Sequence, residues 1–287
     1  MTYCIGIKLN SGLVMLSDSR TNAGVDHINT FRKMTVFEKK GDRVITLLSS
    51  GNLAICQSVR HRINQGFDAD GGAGTERTIW NVPTLFDAAQ LVGDAIRAVA
   101  ARETEALKAA GVEFNINLIL GGQIGSEDPR LFHLYSAGNF IEAADENCYF
   151  QIGEAKYGKP ILDRVISPET TLDEAAKCAL ISMDSTLKSN LSVGMPLDLL
   201  IYQSGALDVT HVTHIDQKNE YFQMISSNWG KKLKQVFSEI PAPTWLPLQP
   251  SESHYKPLLE TPQSFAPQTA VLTFQQLSLG QQVRQPT

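Results

Sequence analysis

The architecture is decided by residues 2–20, "TYCIGIKLNSGLVMLSDSR". Alternation places Tyr3, Ile5, Ile7 and Leu9 on one face of a strand, "NSG" offers a tight turn, and "LVMLSDSR" returns as a second strand. The chain therefore opens on a hairpin. Thr2, directly behind Met1 at the head of that hairpin, raises a chemical question. A strand needs no threonine there, whereas a hydrolase that uses its own N-terminus does.

Working outward, "KMTVFEKKGDRVITLLSSG" repeats strand, turn and strand, so four strands are expected before the first helix. "GNLAICQSVRHRINQGF" has helical period, with Leu53, Cys56, Val59 and Ile63 on one side. "DADGGAGTER" has loop composition. A longer helix follows from Pro83 and Thr84, which suit its start, to Gly111, which suits its stop. Strands return at "FNINLILGGQI", "RLFHLYS" and "CYFQIG", with an "SAGN" turn before "FIEA". Two helices follow at "KYGKPILDRVI" and "TLDEAAKCALISMDSTLKS"; in the second, Leu172, Ala175, Ala176, Ala179 and Met183 trace one face. Strands at "PLDLLIYQ" and "LDVTHVTHI" and a helix at "NEYFQMISSNWGKKLKQVFSEI" close the pattern. Hairpins and helix pairs alternate, which predicts an α+β fold of two stacked antiparallel sheets with helices outside, a four-layer αββα sandwich.

That domain is expected over residues 1–240, with a tail over 241–287. Eight of the 13 prolines lie in the tail, which is rich in glutamine and has only four charged side chains, so it reads as extended. The net charge of -5 argues against a nucleic-acid surface. The Lys cluster in "NWGKKLKQVF" reads as a solvated helix face. Cys4, Cys56, Cys148 and Cys178 form no CxxC pair and are expected as free thiols in a reducing compartment. No basic segment leads an apolar core at the N-terminus, and no apolar run approaches the roughly 18 residues of a membrane span. A cytoplasmic protein is the expectation. His211 and His214 are three apart on a strand and so face opposite sides, which suits satisfied or surface histidines and not a metal pair. "GGAG" at 71–74 lacks the context of a phosphate loop, and "LILGGQIG" lacks the helix of a dinucleotide site.

Thr2 has a chemistry of its own. Methionine aminopeptidase removes Met1 when the next residue is small. The freed α-amine, with a pKa of about 8 in model peptides, lies within reach of the Thr2 hydroxyl and can serve as its general base. Such a site needs a cation to depress the amine pKa, a carboxylate to hold that cation, and N–H donors for an oxyanion. Lys33, Asp18 and Gly51 answer these needs. Each has an ordinary alternative: Asp18 and Lys33 as a structural ion pair, and Gly51 in "SSGN" as a helix start.

Thr2 heading the first strand, "SDSR" at 17–20, Lys33, and "SSGN" before a helix together resemble the proteasome β-subunit family. The opening "TYCIGIKLNSGLV", with no propeptide ahead of it, and "SNLSVGMPLDLLIY" are most similar to its bacterial branch, Anbu. The resemblance covers roughly residues 2–215 and implies an N-terminal nucleophile hydrolase fold. It implies Thr2 as nucleophile, Asp18 and Lys33 as its acidic and basic partners, Arg20 as a structural arginine, and Gly51 as the oxyanion donor. Ser192 matches a supporting serine. Two departures stand out: Ser189 occupies the place of an aspartate, and Glu154 that of another supporting serine. The pocket beside Thr2 is expected from Thr21, Phe31, Ser49 and Leu53, with Phe31 and Leu53 favouring small or apolar side chains.

The implied activity is that of a threonine peptidase acting on peptides or proteins, within a large ring-like or spiral homo-oligomer. No metal, cofactor, nucleic acid or membrane is implied. The alternatives are a non-catalytic scaffold subunit and a small-substrate amidase on the same fold.

Overall fold

The computed structural model describes residues 2–22, 28–66 and 76–243. The "DADGGAGTER" stretch before Glu76, with its "GGAG", and the tail beyond 243 lie outside the described residues. The chain runs β1 (Tyr3–Leu9), β2 (Gly12–Asp18), β3 (Arg20–Asn22), β4 (Ile28–Thr30), β5 (Met34–Lys39), β6 (Arg43–Gly51), α1 (Leu53–Gln65) and α2 (Leu85–Ala109). It continues through β7 (Ile116–Ile124), β8 (Arg130–Leu134), β9 (Phe140–Glu142), β10 (Tyr149–Gly153), α3 (Ala155–Val165) and α4 (Leu172–Ser189). The last elements are β11 (Leu197–Gln203), β12 (His211–Ile215) and α5 (Glu220–Glu239).

Two five-stranded sheets result, ordered β10-β1-β2-β11-β12 and β5-β6-β7-β8-β9. Every pairing is antiparallel. The alternation of side chains sorts the apolar residues into separate layers. Tyr3, Ile5, Ile7 and Leu9 pack on Ala175, Ala179 and Met183 of α4, with Phe222 and Ile225 of α5. Their neighbours Cys4, Leu13 and Met15 face the other way, against Leu48, Ile119 and Leu131 of the second sheet. The far face of that second sheet, with Ile45, Leu47 and Leu120, is covered by Val59 and Ile63 of α1 and by Leu91, Ala95 and Val99 of α2. Helices, sheet, sheet and helices therefore stack in four layers.

Local chemistry sets the ends of these elements. Thr84 caps α2 by accepting from the Asp87 N–H at 3.1 Å, and Thr171 and Glu174 form a reciprocal capping box on α4. The expected edge of α1 differs in one respect. Ile55, Val59 and Ile63 form its buried row, while Leu53 is exposed and Cys56 half-buried, because their side of the helix turns to a cleft. Six strands precede α1, not four. The additional ribbon of β3 and β4 has three residues per strand, too short for alternation to register. The lysines of α5 are exposed, all four cysteines are free, and His214 meets Asp198 at 2.9 Å. Among the described residues, no helix is long and apolar enough to cross a membrane.

Helix α3 comes unusually close to the sheet at Gly158. A methyl group there would overlap the Tyr3 hydroxyl and the Ser182 oxygen, which are hydrogen-bonded to each other at 2.7 Å. The Gly158→Ala variant is expected to lose about 1–3 kcal/mol of stability. Its urea midpoint checks this, and a midpoint equal to the parent's contradicts it.

Candidate active site

The hairpin of β1 and β2 brings Thr2 and Asp18 to one end of the first sheet. Thr2 is buried, and its carbonyl accepts the Glu154 N–H at 2.7 Å. Asp18, the last residue of β2, is fully buried and accepts three hydrogen bonds. The donors are Lys33 Nζ at 2.6 Å, the Tyr3 N–H at 3.0 Å and the Gly194 N–H at 3.2 Å. Lys33 immediately precedes β5, so this ion pair joins one sheet to the other. Burial pushes the Asp18 carboxyl above its ordinary range; the Lys33 ammonium and the two N–H donors oppose that shift.

Gly51 is the last residue of β6. Its neighbour Asn52 donates to the Asn115 carbonyl and caps α1, accepting from the Ala54 N–H at 3.0 Å. Ser49 donates in the opposite direction, to the Lys33 carbonyl at 3.0 Å. Alternation along an antiparallel strand then directs the Gly51 N–H as it directs that of Ser49, past the end of β5. At φ 115° the Gly51 backbone lies where side chains rarely go, and a Cβ there would strike the Asn115 carbonyl.

A cleft of about 960 Å³ opens at this end of the sandwich. Its walls bring together Thr2, Lys33 and Gly51 with Thr21, Phe31, Ser49 and Leu53. Asp18 lies beneath, in contact with Lys33. Arg20 turns away from the cleft and donates from Nη1 to the Leu191 carbonyl at 2.8 Å, bracing the turn after α4. Ser192 lies in that turn, its N–H donating to Asn190 Oδ1 at 2.9 Å. Ser189 is the exposed last residue of α4, and neither serine is among the cleft-lining residues. The turn reaches Asp18 through the Gly194 N–H.

Several lining residues escaped the sequence reading, notably Asn52, Asn115, Asn117 and Cys56. Asn115 and Asn117 carried a signal: two amides spaced by two at the head of the otherwise apolar "FNINLIL". Cys56 brings a thiol to the cleft. Burial pushes its thiol up to about 11, which keeps it protonated near neutral pH and unreactive.

Comparison with known proteins identifies the fold and the family. The ancestral β-subunit Anbu from Yersinia bercovieri is 47% identical to this chain, with a TM-score of 0.76 over 84% of this chain and 98% of that one. The Anbu complex from Pseudomonas aeruginosa, solved as a helical assembly, is 42% identical, with a TM-score of 0.77 over 84% and 98%. Proteasome subunit beta 1 of Saccharolobus islandicus is 25% identical over 195 residues, 67% of this chain and 81% of that protein. No family model matches the chain. The chain belongs to the Anbu (ancestral β-subunit) family, and its sandwich is the N-terminal nucleophile hydrolase fold of those relatives.

The buried ion pair has a measurable consequence. Removing one partner leaves the other charge desolvated, so Asp18→Ala is expected to cost about 3–5 kcal/mol. Replacing both partners by near-isosteric neutral residues, Asp18→Asn with Lys33→Met, should recover part of that loss. Urea unfolding of the single and double variants decides it; a single variant within about 1 kcal/mol of the parent contradicts a structural role for the pair.

Proposed function

We propose that this Anbu-family protein is an N-terminal threonine peptidase. The observation that carries the reading is the meeting of a buried Thr2, the Asp18-held Lys33 and the Gly51 N–H in one cleft. With Met1 removed, the Thr2 α-amine takes the hydroxyl proton as Oγ attacks a peptide carbonyl. The Gly51 N–H stabilises the oxyanion. The ammonium returns the proton to the leaving nitrogen as the C–N bond breaks, leaving an ester on Thr2. Water, deprotonated by the same amine, then releases the acyl group. Lys33 disfavours protonation of the amine, and Asp18 fixes the position of Lys33. These steps draw only on protein groups and water.

The substrate reading follows from the walls of the cleft. Its hydroxyl and amide lining suits an extended peptide backbone, and Phe31 and Leu53 supply the apolar part of the pocket beside Thr2.

Assembly belongs to the same proposal. Leu233, Val236 and Phe237 stand exposed on the last turns of α5, an apolar surface that a partner subunit would cover. The Pseudomonas aeruginosa relative is described as a helical assembly, and a large homo-oligomer is proposed here. Light scattering at micromolar concentration should give a mass many times that of the chain, and a monomer contradicts it.

For catalysis, Thr2→Ala should lower peptide turnover by at least about a thousandfold while leaving the unfolding midpoint unchanged. Undiminished turnover would end this reading. Intact mass supplies the companion test. Protein that retains Met1 carries an amide in place of the base and should be inactive.

A further inference from the structure

The wall of the cleft contains a carboxylate that the mechanism above does not use. Glu154 lines the cleft beside Gly153, with its side chain only 13% exposed. Although it occupies the cap position of α3, its side chain makes no capping hydrogen bond. Among the described residues, its one ionic partner is Lys156, at 3.7 Å and itself 70% exposed. A mostly buried carboxylate without a close donor is costly. It is therefore poised to receive a cationic donor inside the cleft.

The sheet register indicates which donor that is. β1 and β10 pair antiparallel, with Tyr3 opposite Gly153 and Cys4 opposite Ile152. One step further, the Glu154 N–H donates to the Thr2 carbonyl at 2.7 Å, so the backbones of the two residues lie side by side. Gly153, at φ 84°, ends β10 there and turns the chain into α3, with Thr2 and Glu154 both on the wall of the cleft.

We propose that Glu154 is a positioning residue whose carboxylate receives the Thr2 α-ammonium, a role that rests on the Thr2 reading above. When Oγ loses its proton to the amine, the new ammonium donates a hydrogen bond to Glu154 and is held facing the leaving nitrogen. When it passes the proton on, the neutral amine is released for the water step. Glu154 thus opposes Lys33: one partner favours the ammonium and the other the free amine. The charged groups around Thr2 are Asp18 and Lys33 across the site and Glu154, with Lys156 behind it, beside the site. The remaining lining side chains are hydroxyls, amides, a protonated thiol and apolar groups.

The test reads the amine directly and requires no substrate. Full-length chain beginning at Thr2 is pulsed with acetic anhydride across a pH series. Acetylation of its N-terminal peptide, followed by mass spectrometry, gives the α-amine pKa. Glu154→Gln is expected to lower that pKa by about one pH unit, and Glu154→Asp to keep most of it. Lys156→Met, at an exposed position, removes the competing cation and should raise it. The acid limb of the peptide-turnover profile should move by the same amount as the amine. An α-amine pKa unchanged by both Glu154→Gln and Lys156→Met overturns the proposal. A Thr2→Ala protein with full turnover would refute the nucleophile reading on its own, without altering what the anhydride measurement says about the amine.

Discussion

The structure at the cleft end depends on Asp18. One carboxylate ties together four pieces of chain: β2, which carries it; β1, through the Tyr3 N–H; the lead-in to β5, through Lys33; and the turn after α4, through Gly194. Two of these partners are backbone amides and one is a charged side chain from the opposite sheet. Burial alone makes such a carboxylate expensive, and three donors at 2.6–3.2 Å are what make it tolerable. A chain that satisfies Asp18 has thereby placed Thr2 next to Lys33.

The rest of the site follows from that placement. Packing of the two sheets through Cys4, Leu13, Met15, Ile119 and Leu131 sets how far apart their ends stand. The cleft is the gap left at one end, where Thr2 from the first sheet meets Lys33 and Gly51 from the second. A cleft shared between two sheets keeps its shape only if both are rigid. The long β6–β7 ladder, from Arg43 opposite Ile124 to Gly51 opposite Ile116, provides that rigidity on one side, and the β1–β2–β11 core provides it on the other.

Much of this was legible in the sequence because it rests on short periodicities. Tyr3, Ile5, Ile7 and Leu9 declared their common face by strict alternation, and Ala175, Ala179 and Met183 did so by helical spacing. Thr84 and Gly111 marked the ends of α2. The β3–β4 ribbon was not legible, since three residues per strand are too few to carry a period. Nor was the contribution of the turn after α4. The sequence drew attention to Ser189 and Ser192, whereas the contact with Asp18 is made by the backbone of Gly194, which has no side chain to read. Cys56 shows a related limit. Periodicity placed it on the buried face of α1, but the helix presents it to the cleft, which only the assembled fold defines. Glu154 was visible as an unusual residue, yet its relation to Thr2 depends on the register between β1 and β10, strands far apart in the chain.

The central claim is that Thr2 Oγ forms the covalent bond. The most direct test is to mix the chain beginning at Thr2 with an activated peptide ester, quench in acid and map the adduct by tandem mass spectrometry. The account predicts the acyl mass on Thr2, lost in Thr2→Ala. An acyl group on another residue, or equal labelling of Thr2→Ala, would contradict it.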